Sequence, residues 1–215
     1  MELILRLVTL TILIFSAILH EIAHGYVAER FGDPTARLAG RLTLNPKKHI
    51  DPLMSILLPL MLLLSGSPVI FGAAKPVPID PFNLKEGRKD VALVALSGPL
   101  TNMVIAVLAS FLIKFFPSFA GFLPEDLSSA FYFLLSNVVQ LNLLLAIFNL
   151  LPIPPLDGSK VFALLLPEKY ALTYLSLSSI GFFIIFFLLL FPVGGFSLGA
   201  LIFNLLSFSL KLLGI

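Results

Sequence analysis

His20-Glu21-Ile22-Ala23-His24 combines two imidazoles and a carboxylate at a spacing that can hold a metal ion and activate water beside it. On a helix, positions i and i+4 lie about 40° apart around the axis and one turn apart along it, so His20 and His24 present their rings to a single point. Neutral imidazole nitrogens suit zinc. Glu21 projects roughly 100° away from His20, where it can accept a proton from water without entering the coordination shell. Patterns of this kind also recur by chance in soluble helices with no metal. Here the pattern lies inside an apolar run long enough to cross a bilayer, where three idle ionisable groups are strongly disfavoured, and a bound metal would compensate them.

Two histidines leave a catalytic zinc short of one protein ligand, because such sites use three and keep the fourth position for water. A third histidine six residues on is excluded, since Arg30 stands there. Glu86, Glu125 and Glu168 fall in loops near the membrane boundaries, and His49 lies beside Lys47 and Lys48. Asp157 is the better candidate. It follows Asn149-Leu-Leu-Pro-Ile-Pro-Pro-Leu, in which Pro152, Pro154 and Pro155 cannot continue a helix and Gly158 permits a sharp turn. Non-helical backbone near membrane depth is tolerated where protein or a water-filled cavity satisfies it, so a cavity bearing a carboxylate is expected. The alternative is a plain interfacial turn, with Asp157 capping a short helix over Ser159–Leu166.

Ser97-Gly98-Pro99-Leu100-Thr101-Asn102 is a second polar intrusion into an apolar run. Gly98 and Pro99 allow close approach and a local break, and Asn102 supplies a donor and an acceptor to substrate backbone, to an oxyanion or to a neighbouring helix. Asn142 and Asn149, seven residues apart on one helical face, can line the same cavity, although helix–helix hydrogen bonding suits Asn142 better.

These residues must be carried by membrane spans. Of 215 residues, 58% are apolar and 12% charged, and the mean hydropathy is +1.04, well outside the range of soluble domains. Runs near the roughly 20 residues a span requires occur at Leu3–Ala28, Val91–Phe115, Ser128–Leu151, Tyr170–Phe191 and Phe196–Leu213. The expected fold is therefore all-α and polytopic, with about five transmembrane helices. It forms one membrane-embedded unit over 1–215, with a core at about 3–166 and accessory helices at about 170–213. Basic residues cluster at Arg30–Lys48, Lys75–Lys89 and Lys160–Lys169, while Pro117–Leu127 carries Glu125 and Asp126 and no basic residue. That alternation puts the N-terminus outside and the loops at 29–90 and 152–169 in the cytoplasm. Leu53–Ile70 is apolar but flanked by basic loops and interrupted by Pro59, Gly66 and Pro68, which predicts a re-entrant or interfacial segment. Gly40–Leu44 and Gly72–Asp80 read as short extended edges at the cytoplasmic surface, able to pair with an unwound substrate. A net charge of +2 points away from nucleic acid, and the absence of cysteine excludes disulfides, thiolate sites and cysteine nucleophiles.

Taken together, His20-Glu21-Ile-Ala-His24-Gly25, Ser97-Gly98-Pro99-Leu-Thr-Asn102 and Asn149-Leu-Leu-Pro-Ile-Pro-Pro-Leu-Asp157-Gly158 resemble the site-2 protease family of intramembrane zinc metalloproteases. Gly32-Asp33-Pro34-Thr35-Ala36, Arg41-Leu-Thr-Leu-Asn45-Pro46 and Ala74-Lys75-Pro76-Val77-Pro78 are similar to its compact branch without a PDZ domain. The resemblance implies one Zn2+ per chain held by His20, His24 and Asp157, with Glu21 as catalytic acid/base and Asn102 assisting substrate binding or transition-state stabilisation. It also implies a multi-pass protein of the cytoplasmic membrane that cuts transmembrane segments near the cytoplasmic side, as in regulated intramembrane proteolysis. The last two spans carry no motif of the family. The alternatives are a catalytically idle metal-binding scaffold and a metal or proton transporter. Glu21 beside the ligands argues against the first, and the lack of an internal repeat of the histidine region argues against the second.

Overall fold

A computed structural model describes residues 2–51, 57, 61, 74–117 and 124–215. The described helices are α1 (Glu2–Arg30), α2 (Thr35–Leu38), α3 (Arg88–Phe115), α4 (Glu125–Asn149), α5 (Asp157–Leu164), α6 (Glu168–Ser176), α7 (Ser178–Leu190) and α8 (Leu198–Leu213). Three of them, α1, α3 and α4, are long and apolar enough to cross a membrane, and a fourth crossing is available if α6 and α7 form one bent span. At about 1.5 Å per residue the three long helices run to roughly 38–44 Å, more than the ~30 Å hydrocarbon layer requires. The chain is a multi-pass, all-helical membrane protein.

Helix α3 lies at the centre, packed against α1, α4 and the short α5, while α1 also touches α4. Small residues make this possible. Ala106 and Ala109 of α3 sit with Ile113 against Leu135, Val139 and Leu143 of α4, so the two backbones can approach closely. Helix α8 packs on α4 through Leu206 and Leu210. Its neighbour α7 joins a second cluster in which Ile185, Leu198 and Ile202 cover Leu151 and Leu156 of the proline-rich turn.

The expected span at Tyr170–Phe191 is broken: α6 and α7 meet at 66°. Ser176 Oγ donates to the Thr173 carbonyl and Ser178 Oγ to the Leu175 carbonyl, offering the backbone local partners other than the helical ladder. Helix α8 has 16 residues, about 24 Å, so it falls short of a perpendicular crossing. Apart from positions 57 and 61, Leu53–Ile70 lies outside the described residues.

The extended edges do not form strands among the described residues. Gly40–Leu44 folds back on α2, with the Arg41 N–H donating to the Ala36 carbonyl. Residues 74–80 are irregular, because Pro76 and Pro78 have no N–H for a ladder and side chains take the groups that remain. The buried Arg41 guanidinium donates to the Lys75 and Pro76 carbonyls at 2.7 and 3.3 Å. Asp33 anchors the other end. Fully buried, it accepts from the Thr35 N–H and hydroxyl, from the Asp80 N–H at 2.7 Å and from the Asn83 amide at 3.1 Å. Burial pushes its carboxyl up, but these hydrogen bonds outweigh burial and hold it below the ordinary value of 3.8.

Two outcomes follow for this clamp. Asp33→Ala leaves several buried donors unpaired and should destabilise the protein by about 2–3 kcal/mol, read as a lower melting temperature in detergent and faster proteolysis between α2 and α3. Because the folded carboxyl titrates below the unfolded one, its contribution is complete above about pH 4 and is lost as pH falls further. The melting-temperature gap between wild type and Asp33→Ala should therefore close on acidification through that range.

Candidate metal centre

Ser16, His20 and His24 recur every four residues on α1, and Val94, Gly98 and Asn102 do so on α3. The two rows face one another. His24 Nδ1 lies 2.7 Å from the Val94 carbonyl, and His20 Nδ1 lies 2.6 Å from Asn102 Oδ1. A carbonyl oxygen can only accept, so His24 carries its proton on Nδ1, and the amide oxygen assigns the same tautomer to His20. Both Nε2 atoms are left as lone-pair donors.

Asp157 completes the set. It is the first residue of α5 rather than its N-cap, which is Leu156. Its Oδ2 lies 3.1 Å from Nε2 of each histidine. The position is fixed by the turn that precedes it. Gly158 presses on the end of α4 so closely that a Cβ would stand 2.1 Å from the Leu150 carbonyl oxygen. Arg88, at the start of α3, donates to the Ala163 and Leu166 carbonyls and so ties down the C-terminal end of α5, where a cation also suits the helix dipole. Lys160, one turn along α5, donates to Asp157 Oδ1 at 3.0 Å and leaves Oδ2 to the histidines.

Three lone pairs thus converge from residues no more than 7% exposed, and with neutral rings none of them brings a proton to the centre. A cation satisfies such a set. The ligand atoms of His20, His24 and Asp157 all lie within 4.8 Å of one another, and tetrahedral zinc at about 2.0–2.1 Å from each ligand would hold them about 3.4 Å apart. Space is reserved as well: a Cβ at Gly98 would lie 2.5 Å from His20 Nε2 and 2.6 Å from His24 Nε2. The residues fit a zinc ion.

The other candidates are not among the three converging ligands. Glu21 is half-buried, and its Oε2 accepts from the Val77 N–H at 2.7 Å, so segment 74–80 orients it. Asn102 is fully buried, with its amide oxygen 2.6 Å from His20 Nδ1 and its amide nitrogen 2.8 Å from Asn142 Oδ1. Asn149 donates to the Leu145 carbonyl of its own helix. His49 donates from Nε2 to the Thr43 carbonyl, away from the cluster. Lys160, Arg88 and the Val94 carbonyl were not singled out from the sequence. Only Lys160 carried a usable signal, its i+3 spacing from Asp157 on a predicted helix.

Residues 124–192 match the sequence profile of peptidase family M50. The chain is 38% identical over 186 residues to YwhC of Bacillus subtilis, which carries a zinc-metalloprotease name, covering 86% of this chain and 81% of that protein. Rip2 of Mycolicibacterium smegmatis, similarly named, is 37% identical over 147 residues, covering 67% of this chain and 52% of Rip2. Zinc metalloprotease MJ0392 of Methanocaldococcus jannaschii is 29% identical over 162 residues, covering 75% of this chain and 35% of that protein. No solved structure matches the chain. With His20, His24 and Asp157 brought to one point and most of YwhC aligned to it, the chain belongs to peptidase family M50, the family of the site-2 proteases.

Proposed function

We propose that this protein is a zinc endopeptidase of the cytoplasmic membrane that hydrolyses peptide bonds in or near transmembrane segments of other membrane proteins, with its site toward the cytoplasm. One observation carries the reading: two imidazole Nε2 atoms and one carboxylate oxygen meet in a buried centre whose ring protons are already committed elsewhere. The names of YwhC, Rip2 and MJ0392 support zinc and proteolysis. The basic residues between α1 and α3 and around α5 support the orientation. The whole chain acts as one membrane-embedded unit, with the chemistry in 3–166 and accessory helices in 170–213.

Bound zinc supplies Lewis acidity, lowering the pKa of water towards about 7 and polarising the scissile carbonyl. His20, His24 and Asp157 hold the ion. Lys160 keeps Asp157 Oδ1 occupied, so the carboxylate offers the ion Oδ2 alone. Glu21 is the acid/base: the Val77 N–H engages Oε2, and Oε1 receives the proton from attacking water and returns it to the leaving amine. Asn102 acts through His20 rather than on the oxyanion, since both ends of its amide are engaged. A scaffold would have no use for a base beside its ligands, and the names of YwhC, Rip2 and MJ0392 support a peptidase rather than a transporter.

A reporter transmembrane peptide in proteoliposomes tests this reading. Chelation should abolish cleavage and zinc should restore it; cleavage that survives complete zinc removal would refute a metallopeptidase. Glu21→Gln should retain stoichiometric zinc while lowering turnover by about 10²–10⁴-fold, and normal turnover would remove Glu21 from the role of base. Gly98→Ala places a methyl against both Nε2 atoms, so its zinc content should fall to background. Asp157→Ala should lose most of its zinc as well, and unchanged occupancy would point to a different third ligand.

A further inference from the structure

Asn142 hydrogen-bonds to Val138, Ser16 and Asn102 and to none of the three ligand residues among its described bonds, yet the orientation of the amide that faces His20 Nδ1 traces back to it. Its Nδ2 lies 2.8 Å from the Val138 carbonyl, which only accepts, and 2.9 Å from Ser16 Oγ. That fixes which end of the Asn142 amide is nitrogen. Its Oδ1 must then face a donor, and Asn102 Nδ2 lies 2.8 Å away and also within 3.4 Å of the Ser16 carbonyl. Asn102 Oδ1 is consequently turned to His20 Nδ1. Asn102 and Asn142 are both fully buried, so no solvent competes for these bonds.

The relay works against a nearby pull. Asp157 Oδ2, 3.1 Å from His20 Nε2, attracts the ring proton to Nε2, the nitrogen that a metal needs bare. If the Asn102 amide reversed, Nδ1 would accept a bond and the proton would move to Nε2. His24 is protected from this by the Val94 carbonyl, which cannot reverse. His20 depends on an amide, held the right way round by Asn142 Oδ1 at 2.8 Å and by the longer contact to the Ser16 carbonyl at 3.4 Å.

We infer that Asn142 is a positioning residue that fixes the tautomer of His20 through Asn102 and thereby keeps Nε2 open for the metal. The inference rests on the metallopeptidase reading for its purpose, but its test does not. Metal-free protein with ¹⁵N-labelled histidine is compared by NMR for wild type, Asn142→Leu and Asn142→Asp. The neutral carboxylic acid introduced by Asn142→Asp would donate to the Val138 carbonyl and still offer Asn102 an acceptor oxygen, so that variant should keep the wild-type His20 pattern, with Nδ1 protonated. Asn142→Leu should move His20 toward the Nε2-protonated form and leave His24 unchanged. Chelator competition should then give a zinc affinity about 10–100-fold weaker for Asn142→Leu. Asn137→Leu is the control: Asn137 lies on the same helix and meets Thr9 of α1, 3.2 Å away, without leading to a ligand. Its zinc affinity should stay at the wild-type level. An unchanged His20 tautomer in Asn142→Leu, or an equal loss of affinity in Asn137→Leu, would overturn the inference. Failure of the wild type to take up zinc would overturn the metallopeptidase reading instead, while the tautomer comparison would still decide the role of Asn142.

Discussion

Everything in this protein is arranged around the repulsion that would arise if three lone pairs met in an apolar interior with nothing between them. Asp157 Oδ2 lies 3.1 Å from both His20 Nε2 and His24 Nε2, and the ligand atoms of the three residues all lie within 4.8 Å of one another. With neutral rings they have no proton to share. In an apolar interior, such a group of acceptors is stabilised by a cation between them. The surroundings do not relieve the conflict; they sharpen it. Val94 and Asn102 accept hydrogen bonds from the two Nδ1–H groups, Gly98 withholds a side chain, and Lys160 donates to the other oxygen of the carboxylate.

The fold contributes two kinds of rigidity to this centre. The first is close helix packing. A row on α1 faces a row on α3 with a four-residue period, so one interhelical register aligns Ser16 with Asn102 and both histidines with Gly98. A slip by one residue would remove every one of these contacts. The second is the anchoring of α5, which is too short to hold its own place. Gly158 seats it against the end of α4, and Arg88 binds its far end to α3. Polar contacts between membrane helices contribute only about 0.6–2 kcal/mol each, so their value here lies in direction. They decide which nitrogen carries a proton and which oxygen is free.

How much of this could be read in advance depended on whether a residue's meaning is local. The convergence of His20 and His24 was legible because ionisable groups in an apolar run have few innocent explanations. Asp157 was legible because three prolines and a glycine force the chain to turn where a carboxylate follows. The role of Asn102 was less so, since an amide's donor and acceptor ends are distinguished only by partners on other helices, here Asn142 on α4. The Val94 carbonyl has no signature at all, because every residue but the last has one. The long spans α1, α3 and α4 were found to within three residues at most of their ends. The break between α6 and α7 was missed because Ser176 and Ser178 are tolerated in helices as often as they interrupt them. Gly72–Asp80 reads as an extended edge from its β-formers and prolines, whereas over its described part, 74–80, Arg41, Glu21 and Asp33 reach in from elsewhere and take up backbone groups.

The central claim is that one cation is bound by two imidazoles and an aspartate, and X-ray absorption at the zinc edge of the purified, zinc-loaded protein tests it most directly. The predicted spectrum has a shell of nitrogen and oxygen at about 2.0–2.1 Å with the multiple-scattering signature of two imidazoles. A spectrum without imidazole scattering would contradict it. So would a spectrum showing three imidazoles, which would bring in His49 and leave Asp157 without its place at the metal.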